Sequence, residues 1–240
     1  MNSKQSIVPT MATLANLSAG VMAIVVALDG RPDFGALLVL AAMLFDSADG
    51  ALARAFDACS DFGGELDSLA DMVSVAGGLG ILVVAAVPDS LYGLAAVSGV
   101  AMALCGALRL ARYNVQRDEK PSEHGFSGMP TTAAGGCVAA TVLMQSILAQ
   151  HGLEVSVVFL PWLGLMFAVL MVSNLTYPHI GHFFSKLPTP LAIALGVTVA
   201  VVALWWVHEV VFFACFYAYA LSGPILTVTE KVKAQLANAG

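Results

Sequence analysis

Charged residues are scarce in this sequence. They make up 11% of its 240 residues, whereas about a quarter is usual in soluble domains. No basic tract suited to nucleic acid is present, so we expect no nucleic-acid partner. The N-terminus has neither the basic region nor the small-residue cleavage site of a secretory signal peptide, and we expect none. Together with a hydrophobic content of 59%, these absences favour a polytopic membrane protein over a soluble one.

Cysteine motifs that bind metals are also missing. The four cysteines form no C-x-x-C pair, which argues against disulfides or a zinc site and favours buried apolar positions; they are Cys59, Cys105, Cys137 and Cys215. His179 and His182 are three residues apart, at a predicted helix end beside Pro178. We interpret them as polar residues at the membrane interface rather than as metal ligands.

Long apolar runs dominate the sequence instead. A spanning helix needs about 20 mainly apolar residues. Eight segments qualify, at residues 8–28, 34–57, 65–87, 91–113, 130–150, 155–178, 188–207 and 209–229. The sequence therefore predicts an all-α, polytopic membrane helical bundle with about eight transmembrane helices, in a single domain over residues 1–240 and surrounded by membrane lipids.

The basic residues predict the orientation of this bundle. With the N-terminus in the cytoplasm, Arg31 is the one basic residue outside. The others lie on the cytoplasmic side: Lys4, Arg54, Arg109, Arg112, Arg117, Lys120, Lys186, Lys231 and Lys233. This asymmetry follows the positive-inside rule. We therefore expect a multi-pass protein of the cell membrane in which the end of helix 2 and the start of helix 3 face the cytoplasm.

Four aspartates lie in or beside these apolar segments, although carboxylates near bilayer depth are costly and usually functional. Asp46 and Asp49 are three residues apart and Asp67 and Asp71 are four apart, so each pair shares one helix face. Ala53 and Asp57 are predicted to continue the stripe that Asp46 and Asp49 form along the second helix. Gly63 and Gly64 are predicted to lie between the two helices and permit a tight reversal. An antiparallel hairpin of these helices would make the two carboxylate pairs face each other.

Carboxylate oxygens suit Mg²⁺ or Mn²⁺ better than zinc or copper. Four carboxylates exceed what one Mg²⁺ usually takes, so we expect two divalent cations, an arrangement used for displacement at phosphorus. Arg54 is placed to neutralise phosphate oxygens, which indicates a diphosphate substrate. One alternative is a structural set of carboxylates paired with Arg54, but one arginine does not neutralise four aspartates. The other is a divalent-cation transporter, but predicted helices 5, 7 and 8 have almost no polar residues to line a path.

The spacing D-x2-D-G-x2-A-R-x8-G-x3-D-x3-D resembles the full signature of the CDP-alcohol phosphotransferase family. Every fixed position is present: Asp46, Asp49, Gly50, Ala53, Arg54, Gly63, Asp67 and Asp71. The resemblance implies a six-helix membrane core, here with two further helices, and a site that faces the cytoplasm. It also implies displacement of CMP from a CDP-linked lipid by a second alcohol.

The resemblance assigns roles to these residues. It implies that Asp46, Asp49 and Asp67 bind the metal pair, and that Asp71 is the general base and also touches a metal. A CDP-lipid is expected to contact a set of small and polar residues together with one arginine: Thr13, Asn16, Gly50, Ala53, Arg54, Ser60 and Gly63.

Three further stretches resemble the phosphatidylserine synthase branch of this family. They are Thr13–Gly20 in the first helix, Arg109–Asn114 at the end of the fourth, and Phe126–Ala134 before the fifth. The stretch after Asp71 departs from that branch, because it lacks the usual proline. The expected substrates are CDP-diacylglycerol and L-serine, with archaetidylserine, phosphatidylglycerophosphate and phosphatidylinositol-phosphate synthases as alternatives within the family.

The acceptor residues are predicted less directly. Arg109 and Arg112 are three residues apart, so they share a face and suit a carboxylate such as that of serine. Both are equally consistent with anchors that reach lipid phosphates. Asn114 is either a further hydrogen-bonding group for the acceptor or a helix C-cap. A homodimer is compatible with a membrane enzyme of this size.

Overall fold

The computed structural model describes residues 3–58, 60–118, 126–152, 158–177 and 208–238. Their helices are α1 (Ser3–Leu28), α2 (Pro32–Ala55), α3 (Asp61–Asp71), α4 (Gly78–Ala85), α5 (Tyr92–Asp118), α6 (Thr131–Gln150), α7 (Phe159–Val172) and α8 (His208–Asn238). A π-helical turn, Met72–Gly77, joins α3 to α4, and a 3-10 turn, Asp89–Leu91, precedes α5. Strands β1 (Phe126–Ser127) and β2 (Thr176–Tyr177) form a short antiparallel pair. The prediction of an all-α bundle is confirmed.

Five of the described helical segments are long and apolar enough to cross a membrane: Ile7–Leu28, Pro32–Ala55, Asp61–Ala85, Asp89–Val115 and Thr131–Gln150. Two shorter apolar helices cover Phe159–Val172 and Phe213–Thr229. The protein is therefore a multi-pass membrane protein. The predicted segment 188–207, Cys59 and the histidine pair at 179 and 182 lie outside the described residues. The segment predicted at 155–178 ends as a helix at Val172, and the last helix continues to Asn238.

The end of α2 differs from the prediction. The helix stops at Ala55 because Asp57 adopts a left-handed conformation, with φ of 50°. The N–H of Ala58 then donates to the carbonyl of Ala53 at 2.9 Å, the bond that closes a Schellman-type helix end. Asp57 is exposed and has left the helix, so the expectation that it continues the aspartate stripe is wrong.

The reversal between α2 and α3 also differs from the prediction. Ser60 is extended and caps α3, since its hydroxyl accepts a hydrogen bond from the Gly63 N–H at 3.1 Å. Serine is a favoured residue at this position because it satisfies a free N–H of the first turn. Gly63 and Gly64 therefore lie inside α3, and the expectation that they form the turn is wrong. The reversal instead includes Phe56, Asp57, Ala58 and Ser60.

Helix α1 holds the two halves of the aspartate region together. It packs against α2, α3 and the π-helical turn. At Gly20 the backbone of α1 lies against Ser74 in that turn, and a side chain at position 20 would overlap Ser74. The Gly78 N–H donates a hydrogen bond to the Val73 carbonyl, five residues back, which is the bonding pattern of a π-helix. It follows Asp71 directly, and such turns are frequent at functional sites.

The loop before α6 is fixed to the end of α7. Gly128 has φ of +83° and its α-carbon lies against the Met171 carbonyl, a conformation and a close approach that favour glycine. Its N–H donates to the Leu175 carbonyl at 2.9 Å, and the Met129 N–H donates to the Leu170 carbonyl at 3.0 Å. These bonds, with the β1–β2 pair, place the start of α6 beside the end of α7. The apolar core beneath includes Val75, Leu79, Met102, Val138 and Phe167.

Candidate active site

Three aspartates from α2 and α3 converge. One carboxylate oxygen from each of Asp46, Asp49 and Asp67 lies within 4.8 Å of the others. Asp49 is 5% exposed, and its Oδ2 is buried without a hydrogen-bond partner among the described residues. A buried anionic oxygen is costly unless a cation or donor meets it. The aspartates of the two helices thus converge as expected, although α2 and α3 have few direct contacts and α1 packs against both.

Asp71 lies beside this group and has a different environment. Its Oδ1 accepts a hydrogen bond from the Asn16 amide Nδ2 at 3.1 Å, and its carboxyl is within hydrogen-bonding reach of Asp46. Asn16 is fully buried in α1. Because its amide is fixed in the packed interior, Asn16 orients Asp71. This bond across the bundle, between residues far apart in sequence, was not part of the prediction.

Residues expected to meet the nucleotide lie on α1 and α2, near Asp49 and Gly50. Thr13 is 4% exposed and lies beside Asp49, while its hydroxyl donates to the Pro9 carbonyl at 3.2 Å. Arg54 is exposed, and its guanidinium lies over Gly50, where a Cβ would be 3.4 Å from Nη1. The absence of a side chain at Gly50 thus leaves room between that guanidinium and the helix.

Three other predicted nucleotide contacts lie at the end of α2 and the start of α3. Ala53 is partly buried in the last turn of α2. The Gly63 N–H donates a hydrogen bond to the Ser60 hydroxyl in the cap of α3. The cap gives Ser60 a structural role that its position in the signature does not reveal.

Arg109 lies near Asp71. Its Nη1 donates to Thr131 Oγ1 at 3.4 Å, and it is close enough to Asp71 for the two charges to attract each other. The Nε of Arg109 is buried and has no partner in the part of the chain that the structure describes. A guanidinium with a free, buried N–H so near a carboxylate cluster is suited to an anionic ligand.

Arg112 and Asn114 have protein partners. The Nη1 of Arg112 donates to the Val172 carbonyl at 3.3 Å, one of the carbonyls left free at the end of α7. The Nδ2 of Asn114 donates to Ser68 Oγ at 2.9 Å. Arg112 therefore ties α5 to α7, and Asn114 ties α5 to α3 next to Asp67.

The sequence interpretation missed the partners of these side chains. Ser68, Thr131 and the Val172 carbonyl were given no role. Thr131 stands in the loop motif quoted for the branch, which was a usable signal, but a backbone carbonyl gives no signal in the sequence. Tyr219 of α8, which lies near Arg109, was missed because hydropathy alone described that helix.

Comparisons with known proteins agree with this site. A family described as CDP-alcohol phosphatidyltransferase matches residues 6–172. A protein of Methanothermobacter thermautotrophicus named archaetidylserine synthase is 32% identical over 72% of this chain and 70% of its own. The CDP-diacylglycerol–serine O-phosphatidyltransferase of Bacillus subtilis is 31% identical over 72% of this chain and 90% of its own. A Mycobacterium bovis protein of the same name is 34% identical over 80% of this chain and 67% of its own.

The matched residues include all of α1 to α7 except the first few of α1, and so every aspartate and arginine of the site. Both the identity and the share of each relative that is covered are too high for a likeness of hydropathy alone. This chain belongs to the CDP-alcohol phosphatidyltransferase family.

Proposed function

We propose that this protein transfers the phosphatidyl group of CDP-diacylglycerol to L-serine, forming phosphatidylserine and CMP. The observation that carries this proposal is that Asp71 lies beside the three converging aspartates and near Arg109, whose Nε is buried. A proton acceptor there would be near both a site for a diphosphate and a site for an anionic acceptor. The relatives named as serine O-phosphatidyltransferases support serine as that acceptor.

The aspartate group fits divalent cations. Three carboxylate oxygens lie within 4.8 Å of one another, and a buried Asp49 oxygen lacks a partner among the described residues. They form an all-oxygen donor set of the kind that Mg²⁺ or Mn²⁺ prefers. We propose that Asp46, Asp49 and Asp67 hold two such ions and that Asp71 borders them. Bound there, the ions would neutralise the diphosphate and stabilise the leaving CMP.

The chain's own residues would handle the acceptor proton. The serine hydroxyl is a weak nucleophile until a base is positioned against it. Asp71, oriented by Asn16, would take the hydroxyl proton while the serine oxygen bonds to the lipid-side phosphorus. The bond from that phosphorus to the bridging oxygen breaks, and CMP leaves with that oxygen. Arg54, beside Gly50, would contact the phosphate oxygens.

Arg109 is the stronger candidate for the serine carboxylate. Its Nε is buried and free among the described residues, and a guanidinium binds a carboxylate with two parallel bonds. Arg112 has donors besides the one used at Val172 and is the second candidate. Asn114, held at Ser68, would shape the pocket beside Asp67. Thr13, Asn16, Ala53, Ser60 and Gly63 remain the proposed surroundings of the CDP-lipid.

We further propose that the site faces the cytoplasm of the cell. The aspartates occupy the end of α2 opposite Arg31, where Arg54 also lies. Arg109 and Arg112 are at the matching end of α5. This grouping of basic residues supports a cytoplasmic location by the positive-inside rule, where CDP-lipids and serine are available. A divalent-cation transporter is disfavoured by membership of a transferase family.

The test is release of CMP. Purified protein would be incubated with CDP-diacylglycerol, Mn²⁺ or Mg²⁺, and serine, glycerol 3-phosphate or an inositol phosphate in turn. We expect CMP to depend on serine and to stop when the cation is chelated. Release with glycerol 3-phosphate but not serine would refute the serine assignment and leave the phosphotransferase chemistry standing.

A second candidate concerns the lipid donor. The relative named archaetidylserine synthase favours a donor of archaeal type with the same acceptor. The same assay with a CDP-linked ether lipid, compared with CDP-diacylglycerol at equal concentration, distinguishes the two by kcat/KM.

A further inference from the structure

Thr131 begins α6, and its side chain lies against α5. It is 3% exposed, and its Oγ1 accepts a hydrogen bond from Nη1 of Arg109 at 3.4 Å. Buried polar groups are costly unless they are hydrogen-bonded, so this bond satisfies both the hydroxyl oxygen and one donor of the guanidinium. The two residues are 22 positions apart in the chain, and the bond ties the start of α6 to α5.

The methyl group of Thr131 makes a second contact with α5. A Cβ at Gly106 would lie 3.7 Å from Thr131 Cγ2 and 2.8 Å from Ala76 Cβ, so the start of α6 and the π-helical turn both lie against α5 at this glycine. Gly106 is three residues before Arg109, and residues three apart are neighbours on a helix face. Because a β-branched side chain has few χ1 rotamers, the methyl contact also sets the direction of the hydroxyl.

The backbone at Thr131 is held on both sides. Before it, the N–H groups of Gly128 and Met129 are bonded to the end of α7. At the start of α6, the Pro130 carbonyl accepts the Ala134 N–H at 3.0 Å. The Thr131 hydroxyl is therefore presented to α5 from a fixed position.

The bond at Nη1 sets the direction of the rest of the guanidinium. That group is planar, and its five N–H donors form a rigid fork, so holding one donor limits where the others point. The Nε of Arg109 is buried and has no partner among the described residues. Its N–H is thus available to an anionic group, and Arg109 lies near the proposed base, Asp71.

We propose that Thr131 is a positioning residue for Arg109, whose hydroxyl holds Nη1 so that the buried Nε N–H meets the anionic group of the acceptor alcohol. This inference rests on the proposed function for the identity of that acceptor. It makes the loop before α6 a determinant of acceptor affinity, through a side chain that does not itself touch the acceptor.

The test is Thr131→Val in the full-length protein. Valine keeps the branched shape against Gly106 and loses the hydroxyl. We expect the KM for serine to rise about fivefold, a modest loss for a bond to a charged group because 3.4 Å is long. The kcat and the KM for CDP-diacylglycerol should stay within about twofold. CMP release at varied concentrations of each substrate would measure both KM values.

Thr131→Ser is the conservative variant, because it keeps the hydroxyl and loses only the methyl group. We expect its serine KM to stay within about twofold of wild type. In an Arg109→Lys background, Thr131→Val should add little, because the Nη1 that Thr131 holds is absent there. A loss of packing would instead affect the serine variant as well, and it would persist in the lysine background.

Thr132→Val is the matched control. It removes a hydroxyl from the next residue of α6, which is partly buried and lines a cavity between α2, α6 and α8. We expect it to leave the serine KM unchanged. The inference is overturned by an unchanged serine KM in Thr131→Val. Equal shifts in Thr131→Val and Thr132→Val, in Thr131→Val and Thr131→Ser, or for both substrates would also overturn it.

The outcome for the proposed function is separate. If the wild-type protein releases CMP with another anionic alcohol instead of serine, the proposed acceptor is wrong, and the KM of that alcohol then tests Thr131 by the same criteria. If no alcohol releases CMP, both the function and the inference are overturned.

Discussion

The two ends of the site are built differently. The aspartate end comes from α2 and α3, which are consecutive in sequence, and its three converging carboxylates lie between residues 46 and 67. The arginine end joins α5 to α6 through Arg109 and Thr131 and α5 to α7 through Arg112 and Val172. Here each arginine depends on a partner distant in sequence.

This difference explains why the sequence predicts the aspartates better than the arginines. Each pair of aspartates shares one helix face because of its spacing, which is a local property. Arg109 and Arg112 carry the same charge near the same end of α5. Among the described residues, however, the buried Nε of Arg109 has no partner, whereas Arg112 binds the end of α7. The partners, and not the residue types, distinguish them.

The largest effect is expected at the junction of the two ends. Asp71→Asn should lower kcat by about 10³-fold, because an amide does not accept the acceptor proton, while binding of the CDP-lipid is retained. Rates of CMP release and binding of a CDP-lipid analogue would be measured together. Asp61→Asn, at an exposed position in the first turn of the same helix, is the control and should have wild-type activity. Normal turnover by Asp71→Asn would show that Asp71 is not the base.

The aspartate end should respond to metal concentration. Asp49→Asn removes a charge from the buried group and is expected to raise the Mn²⁺ concentration needed for half-maximal activity by about 100-fold. Titrations of Mn²⁺ and Mg²⁺ at saturating substrates would measure it. The matched substitution Asp57→Asn lies outside the group, and asparagine also tolerates its left-handed backbone, so the titration should not change. A metal response that is the same in both variants would contradict the assignment.

The arginine end should respond to acceptor concentration. Arg109→Lys keeps the charge but loses the paired donors, so we expect the serine KM to rise about tenfold. Arg112→Lys should change it by less than about twofold, since lysine can still donate to a helix-terminal carbonyl. Steady-state kinetics in serine would rank the two. The reverse ranking would move the acceptor site from Arg109 to Arg112.

The smallest effect is expected at the cap between α2 and α3. Ser60→Ala removes the cap and should destabilise the protein by about 1 kcal/mol, which lowers Tm by about 3 °C for a chain of this size. Ser60→Asp keeps a capping oxygen, so its Tm should stay near wild type. Its added charge should instead raise the KM for the CDP-lipid, because Ser60 is proposed to lie near the diphosphate. Thermal unfolding in detergent and CMP kinetics would separate these effects, and an unchanged KM in Ser60→Asp would leave Ser60 as a cap alone.

Much of the fold could be predicted because apolar runs of membrane length have few alternatives to the helix. The positions at which the helices end could not be predicted. Asp57 ends α2 through a left-handed backbone that asparagine, aspartate and glycine adopt most often, and the same residue could equally have extended the aspartate stripe. The π-helical turn after Asp71 could not be predicted for a similar reason. Its residues, Met72–Gly77, have the apolar composition of an ordinary membrane helix.

The sequence by itself determined the membrane bundle, the aspartate group and the family, because helical periodicity and a fixed spacing act over a few turns. Only the tertiary structure decided that Asn16 orients Asp71, that the buried Nε of Arg109 lacks a partner among the described residues, and that Tyr219 lies near Arg109. The first and last of these relations join residues 55 and 110 positions apart in the chain. Such pairs depend on which helices pack together, and no local pattern encodes that choice.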